Sequence, residues 1–227
     1  MKYEVFGDML PAVELTMNTG ESVYTHSGGM TWMTPGFKMD TSTRGGLMKG
    51  IKRAFSGESM FMANYTAEAD HAKITFASSF PGTILPLKID QNHTYIAQKG
   101  AFLCAEDGVN LNAVFTKRFG AGLLGGEGFI LQEISGNGMA FLELDGSLRE
   151  ITLGENEIIK VDTGNVAAFE KTVSYEIETV KGVKNVLFGG EGLFLTVLRG
   201  PGKVWLQTMS IAEFAGKIRQ FIPTSSK

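Results

Sequence analysis

Cysteine is almost missing from this chain: 227 residues carry one, Cys104, so no intrachain disulfide can form. Histidine is nearly as scarce. His26, His71 and His93 stand alone, with no His-x-His or His-x-x-x-His spacing to preorganise a metal site, and each reads as a surface or satisfied core residue. Positive charge is also short. Lys and Arg number 21 against 24 Asp and Glu, for a net charge of -3 and a pI of about 5.7, so no overall positive field gathers a phosphate backbone and nucleic acid is disfavoured as a partner. No run approaches the roughly 20 apolar residues of a membrane-spanning helix. The opening Met1-Lys2-Tyr3-Glu4-Val5-Phe6-Gly7-Asp8 has no charged-then-apolar signal region, and the expected location is the cytoplasm. Without a secretory signal, the sequon Asn92-His93-Thr94 is a coincidence of letters.

What is present favours a packed β protein. The chain is 43% hydrophobic with 16 Phe and only 20% charged residues, which supplies a core and excludes the profile of disorder. Its 29 Gly exceed the usual share of about 7% and fit many tight turns between short strands. Cys104, within Ala101-Phe102-Leu103-Cys104-Ala105, reads as a small buried hydrophobe, because no base or cation lies beside it to stabilise a thiolate.

Self-similarity is the most informative signal. Gly126-Glu127-Gly128-Phe129-Ile130-Leu131 recurs as Gly190-Glu191-Gly192-Leu193-Phe194-Leu195 and, more weakly, as Gly57-Glu58-Ser59-Met60-Phe61-Met62. Upstream, Val23-Tyr24, Thr94-Tyr95 and Ile158-Ile159 each open a segment that reaches Gly29, Gly100 or Gly164. That glycine precedes the Gly-Glu anchor by 28 residues in the first copy and by 26 in the other two. Met139-Ala140-Phe141-Leu142 and Lys203-Val204-Trp205-Leu206 share the 64-residue offset of the last two anchors, and Lys73-Ile74-Thr75-Phe76 is the first-copy counterpart. One β domain over residues 1–227 is therefore expected, with three repeats at about 11–80, 81–145 and 146–208 that bury their apolar faces on one another.

Period-two alternation in Leu142-Glu143-Leu144 and Val161-Asp162-Thr163 marks half-buried strands, whereas Phe129-Ile130-Leu131 and Leu193-Phe194-Leu195 read as strands buried on both faces. Turns are expected at Pro81-Gly82 and Asp145-Gly146. A C-terminal helix at about 210–222 follows from the capping box Ser210-Ile211-Ala212-Glu213. Ile211, Phe214, Ala215, Ile218 and Phe221 or Ile222 share one face, so this helix should cap the β core. A less regular helical turn is expected at 47–55, weakened by Gly50.

Gly120-Ala121-Gly122-Leu123-Leu124-Gly125 matches the dinucleotide fingerprint letter by letter, but the preceding strand and following helix that it requires are not evident in the sequence, so no cofactor is expected. Gly45 and Gly50 have P-loop spacing with Ile51 where lysine is required. Glu58, Glu127 and Glu191 form a candidate carboxylate cluster, since threefold repetition could bring them to a common axis to hold a cation. The preferred alternative is that each accepts backbone amides at its own turn. Lys49, Lys52 and Arg53 with Phe55 form a candidate contact surface for a protein partner or an anionic membrane, or else a solvated face over core residues.

The stretch Gly45-Gly46-Leu47-Met48-Lys49-Gly50-Ile51-Lys52-Arg53-Ala54-Phe55-Ser56-Gly57-Glu58-Ser59-Met60-Phe61, together with Gly200-Pro201-Gly202-Lys203-Val204-Trp205-Leu206-Gln207-Thr208, resembles the bacterial family related to the mitochondrial-biogenesis proteins named for altered inheritance of mitochondria. The likeness runs over nearly the whole chain. It implies a fold like that of the tryptophan RNA-binding attenuator protein, a double-stranded β-helix arrangement. It brings no activity and no catalytic residue, and the likeness to an RNA-binding protein is one of architecture alone. The expected function is thus a non-enzymatic scaffold or interaction protein that forms homo-oligomers. The alternatives are a small-ligand or metal-binding protein, an enzyme included, that uses a cavity between repeats and, last, a nucleic-acid binder.

Overall fold

The computed structural model describes residues 1–26, 28–42, 62–117, 129–179, 194–219 and 221–222. These residues are nearly all strand, in antiparallel sheets, with one short C-terminal helix among them. The first stretch of chain holds β1 (Lys2–Phe6), β2 (Ala12–Met17), β3 (Ser22–His26), β4 (Trp32–Met33), β5 (Phe37–Ser42), β6 (Met62–Ala67) and β7 (Ala72–Ala77). The second holds β8 (Gly82–Ile89), β9 (Tyr95–Gln98), β10 (Phe102–Glu106), β11 (Val109–Lys117), β12 (Phe129–Gly136) and β13 (Gly138–Asp145). The third holds β14 (Leu148–Leu153), β15 (Ile158–Asp162), β16 (Val166–Glu170), β17 (Ser174–Thr179), β18 (Phe194–Arg199) and β19 (Gly202–Gln207).

Side-chain alternation selects the buried faces. In β2 the residues Val13, Leu15 and Met17 point inward and are fully buried, and Ile74 and Phe76 of the paired β7 meet them. Pro86 is tolerated in β8 because this strand lies at the edge of its sheet and is paired on one side only. The Asp145-Gly146 pair joins β13 to β14, and Gly146 takes a positive φ of +74° that favours glycine.

Apart from β1, which adds to the edge of β2, pairing follows one order in all three stretches. Two six-stranded sheets run β5-β6-β3-β10-β13-β8 and β11-β12-β9-β16-β19-β14. The first joins its halves through Val23, Tyr24 and Thr25 opposite Glu106, Ala105 and Cys104; the second through Tyr95, Ile96 and Ala97 opposite Glu170, Phe169 and Ala168. The corresponding halves β15-β18-β17 and β1-β2-β7-β4 stay separate sheets. Register shifts fall at matching places, between Phe102 and Cys104 in β10 and between Val166 and Ala168 in β16, as bulges do where a strand bends.

One side-chain clamp also recurs. Glu106 Oε2 accepts the main-chain N–H of Met139, Glu170 Oε2 accepts that of Lys203, and Thr34 Oγ1 accepts that of Lys73. Three apolar clusters fill the spaces between sheets. One gathers Tyr24, Phe102, Ile134, Leu142 and Trp205; another Leu15, Phe76, Cys104 and Phe141; the third Phe129, Leu131, Phe169, Leu198 and Val204.

Two expectations need correction. Phe129, Ile130 and Leu131 are buried on both faces, but Phe194 and Leu195 are half-buried, because full cover over β18 begins further along the strand, at Thr196 and Leu198. The helix α1 (Ile211–Arg219) does not cap the core: Ile211, Phe214, Ala215 and Ile218 are exposed. Its amphipathic pattern is real, yet periodicity reports a face and not whether another surface lies opposite.

Candidate interaction surface

Every candidate site residue read from the sequence lies outside the described residues. This holds for Lys49, Lys52, Arg53 and Phe55, for Glu58, Glu127 and Glu191, for the glycines at 120–125, and for the expected helical turn at 47–55. The described residues assemble a different surface, at the C-terminal helix.

The start of α1 is held by side chains from two directions. Ser210 Oγ accepts the N–H of Glu213 at 3.2 Å, which is the N-cap bond that the Ser-x-x-Glu spacing predicts. Asp145 Oδ2 accepts the N–H of Ile211 at 3.0 Å, placing a carboxylate at the positive end of the helix. Burial pushes the Asp145 carboxyl above its ordinary value, while the Ile211 amide pulls it the other way. The adjoining 78–82 turn is tied down as well. Glu143 Oε2 accepts from Ser78 Oγ and from both the N–H and the Oγ of Ser79, and Gly146 donates to Pro81 O at 2.9 Å. Phe80 in that turn meets Phe214 of α1 edge-to-face, with centroids 5.0 Å apart.

The segment before β2 joins the same turn. Gly82 donates to Met9 O and Ser78 to Pro11 O, so Met9 and Leu10 are carried by main-chain bonds to the turn that touches the helix. Both side chains face solvent, at 74% and 60% exposure, and Phe221 just past the helix reaches 85%. Ile211, Phe214 and Ile218 on the helix, and Ile222 beyond it, are exposed large apolar groups as well. Sequence periodicity found the helical half of this set. Met9 and Leu10 carry no periodic signal, since they sit in an irregular turn between Asp8 and Pro11.

The polar groups that the sequence singled out have local partners. His93 Nδ1 lies 2.7 Å from Asp90 Oδ1, the ring of His26 meets Phe102 edge-on at 5.2 Å, and His71 holds a left-handed turn at φ +59°. Asp90 is pulled below its ordinary value, chiefly by the Asn92 amide and then by His93. Cys104 is fully buried, and burial, with Glu143 adding to it, pushes its thiol well above the ordinary value, away from nucleophilic chemistry. Among the described residues, no three His, Cys, Asp or Glu side chains group as metal ligands, and no helix is long and apolar enough to cross a membrane.

A buried amide network missed by sequence reasoning secures the turn Thr163–Asn165. Gln98 Nε2 donates to the carbonyls of Thr163, Gly164 and Val166, and Gln207 Nε2 donates to that of Gly164. Gln207 Oε1 accepts the N–H of Asp145, which connects this turn to the base of the helix.

Comparison with known proteins adds a family and no reaction. The model of the family described as Mitochondrial biogenesis AIM24 matches residues 3–209. An uncharacterized protein of Streptococcus pyogenes serotype M6 is 31% identical over 224 residues, which span 95% of this chain and 88% of that protein. The crystal structure of a Streptococcus pyogenes protein, a structural-genomics target, is 25% identical and aligns with a TM-score of 0.79 over 97% of this chain and 99% of the other.

Proposed function

The chain belongs to the Mitochondrial biogenesis AIM24 family, and from that premise we propose that it is a non-enzymatic scaffold that self-associates through the apolar surface at its C-terminal helix. One observation carries the reading. Phe214 and Ile218 are exposed on a helix whose start is held by Asp145 and Ser210, and Met9 and Leu10 are exposed on a segment bonded to the turn that Glu143 holds and whose Phe80 meets Phe214; large apolar groups left in water on a hydrogen-bonded backbone mark contact surfaces. A surface built to bind loses little conformational freedom on docking when its backbone is already fixed. On this reading the protein works in the cytoplasm as a homo-oligomer, and the attenuator-like arrangement implied by the family resemblance is the platform that presents the helix.

Light scattering on the purified full-length protein tests it. An oligomer is expected that falls to a smaller species when Phe214 and Phe221 are both replaced by Ser, with far-UV circular dichroism unchanged. A monomer at high concentration, or an oligomer indifferent to Phe214→Ser/Phe221→Ser, would overturn the proposal.

A further inference from the structure

The two joined sheets define what normally lies beside the inner strand of each hairpin. β10 covers β3, and β16 covers β9. β15 stands in the same relation to its own hairpin. Ile159 lies opposite Leu198 and Val161 opposite Thr196, each pair 64 positions beyond Tyr95 opposite Ile134 and Ala97 opposite Gln132. Its other side is different: among the described residues β15 pairs with β18 alone. The strand that should cover it by analogy, β4, is two residues long and, among the described residues, pairs with β7 alone. An uncovered strand presents a row of main-chain donors and acceptors ready for another strand. Ile158 on the open strand, and Trp32 and Met33 on its shortened counterpart, are exposed apolar side chains.

We propose that the open edge of β15 is a docking site for an extended peptide, which adds an antiparallel strand where β10 and β16 lie in the joined sheets. The two covering strands state the chemistry of the occupant: Phe102-Leu103-Cys104-Ala105-Glu106 and Val166-Ala167-Ala168-Phe169-Glu170 are both four apolar residues, the third small, closed by glutamate. The register carries over. The small third residue of the peptide lies opposite Val161, the fourth opposite Lys160 and the glutamate opposite Ile159. Main-chain bonds supply affinity in such strand addition, and alternate side chains supply selectivity. This site is separate from the helix surface and stands whether or not the protein self-associates.

The test uses the full-length protein and a fluorescein-labelled synthetic peptide with the sequence of residues 164–172, followed by anisotropy. Saturable binding is expected, and a peptide of the same composition in scrambled order should not bind. Methylating the peptide amides at alternate residues leaves the protein untouched and should separate two cases: the set facing β15 loses at least tenfold in affinity and the other set loses little. Replacing Ile159 or Lys160 by Pro blocks the edge from the protein side, and the variant that keeps native circular dichroism should lose the peptide. No saturable binding, equal effects of the two methylated sets, or binding unaffected by a folded proline variant would each overturn the proposal.

Discussion

Glu106 and Gly138 are matched in space: the carboxylate oxygen that accepts the Met139 N–H at 2.6 Å lies 2.8 Å from where a Cβ on Gly138 would sit. Glu170 and Gly202 repeat the arrangement, with the Lys203 N–H at 2.9 Å and a φ of +143° at the glycine against +141° at Gly138. Each clamp fixes the start of a strand that is paired on both sides, one place in from the edge of its sheet.

Removing the acceptor should therefore be felt locally and specifically. Glu106→Ala and Glu170→Ala are each expected to lower stability by about 1–2 kcal/mol, the usual cost of leaving a partly buried donor unmatched. Urea denaturation with an unchanged m-value checks this. An Asp40→Ala control, at an exposed site, should change little.

Gly202→Ala should cost more. The added methyl would meet Thr172 Oγ1 at 2.5 Å and Val173 Cγ2 at 2.8 Å, on a backbone that L-residues rarely adopt. Strain of this kind costs on the order of 1–3 kcal/mol before the clash is counted. Thermal unfolding of the variant beside Glu170→Ala would rank the two.

The burial of Cys104 predicts chemical silence. In the native protein at neutral pH, its thiol should not react with a disulfide reagent such as DTNB on the timescale of minutes, and it should react fully in denaturant. Cys104→Ser places a hydroxyl in the cluster of Val23, Leu103 and Phe141 and is expected to destabilise by about 1–3 kcal/mol.

Asp145 gives a pH dependence whose sign can be worked out. Its folded carboxyl is held above the unfolded value, so the protonated form is the one that folding favours. The stability it contributes is full below the unfolded value and is lost as pH rises through the raised folded value. Asp145→Asn keeps an acceptor for the Ile211 amide without the charge. It should match or exceed the wild type in melting temperature at neutral pH, with the gap closing in acid. Asp145→Ala removes the acceptor and should fray the helix start, read as lost helical signal.

Much of this architecture is legible in the sequence where the cause is local. Leu142-Glu143-Leu144 alternates and lies half in the core, Phe129-Ile130-Leu131 is apolar throughout and lies wholly in it, and Ser210 caps the helix that its spacing with Glu213 predicts. Where the cause is distant, the letters are silent. Gln98 is satisfied by carbonyls of residues 163, 164 and 166, and Gln207 by Gly164, so neither amide announces its role. The half-exposure of Phe194 and Leu195 depends on what lies over the faces of β18, which is paired on both sides, and the exposure of α1 on what fails to cover it. Met9 and Leu10 join the surface through main-chain bonds, which no side-chain pattern records.

The long reach of the pairing also shapes synthesis. Leu15 finds Ile74, Leu85 finds Leu142 and Ile151 finds Val204, so each stretch clasps a strand near its start to one at its end. A growing chain therefore holds each early strand unpaired on that side until the later one has left the ribosome, and distant closures of this sort are slow. The nascent protein passes three times through a phase with bare strands, and it is there, rather than in the finished molecule, that protection by a chaperone would matter most.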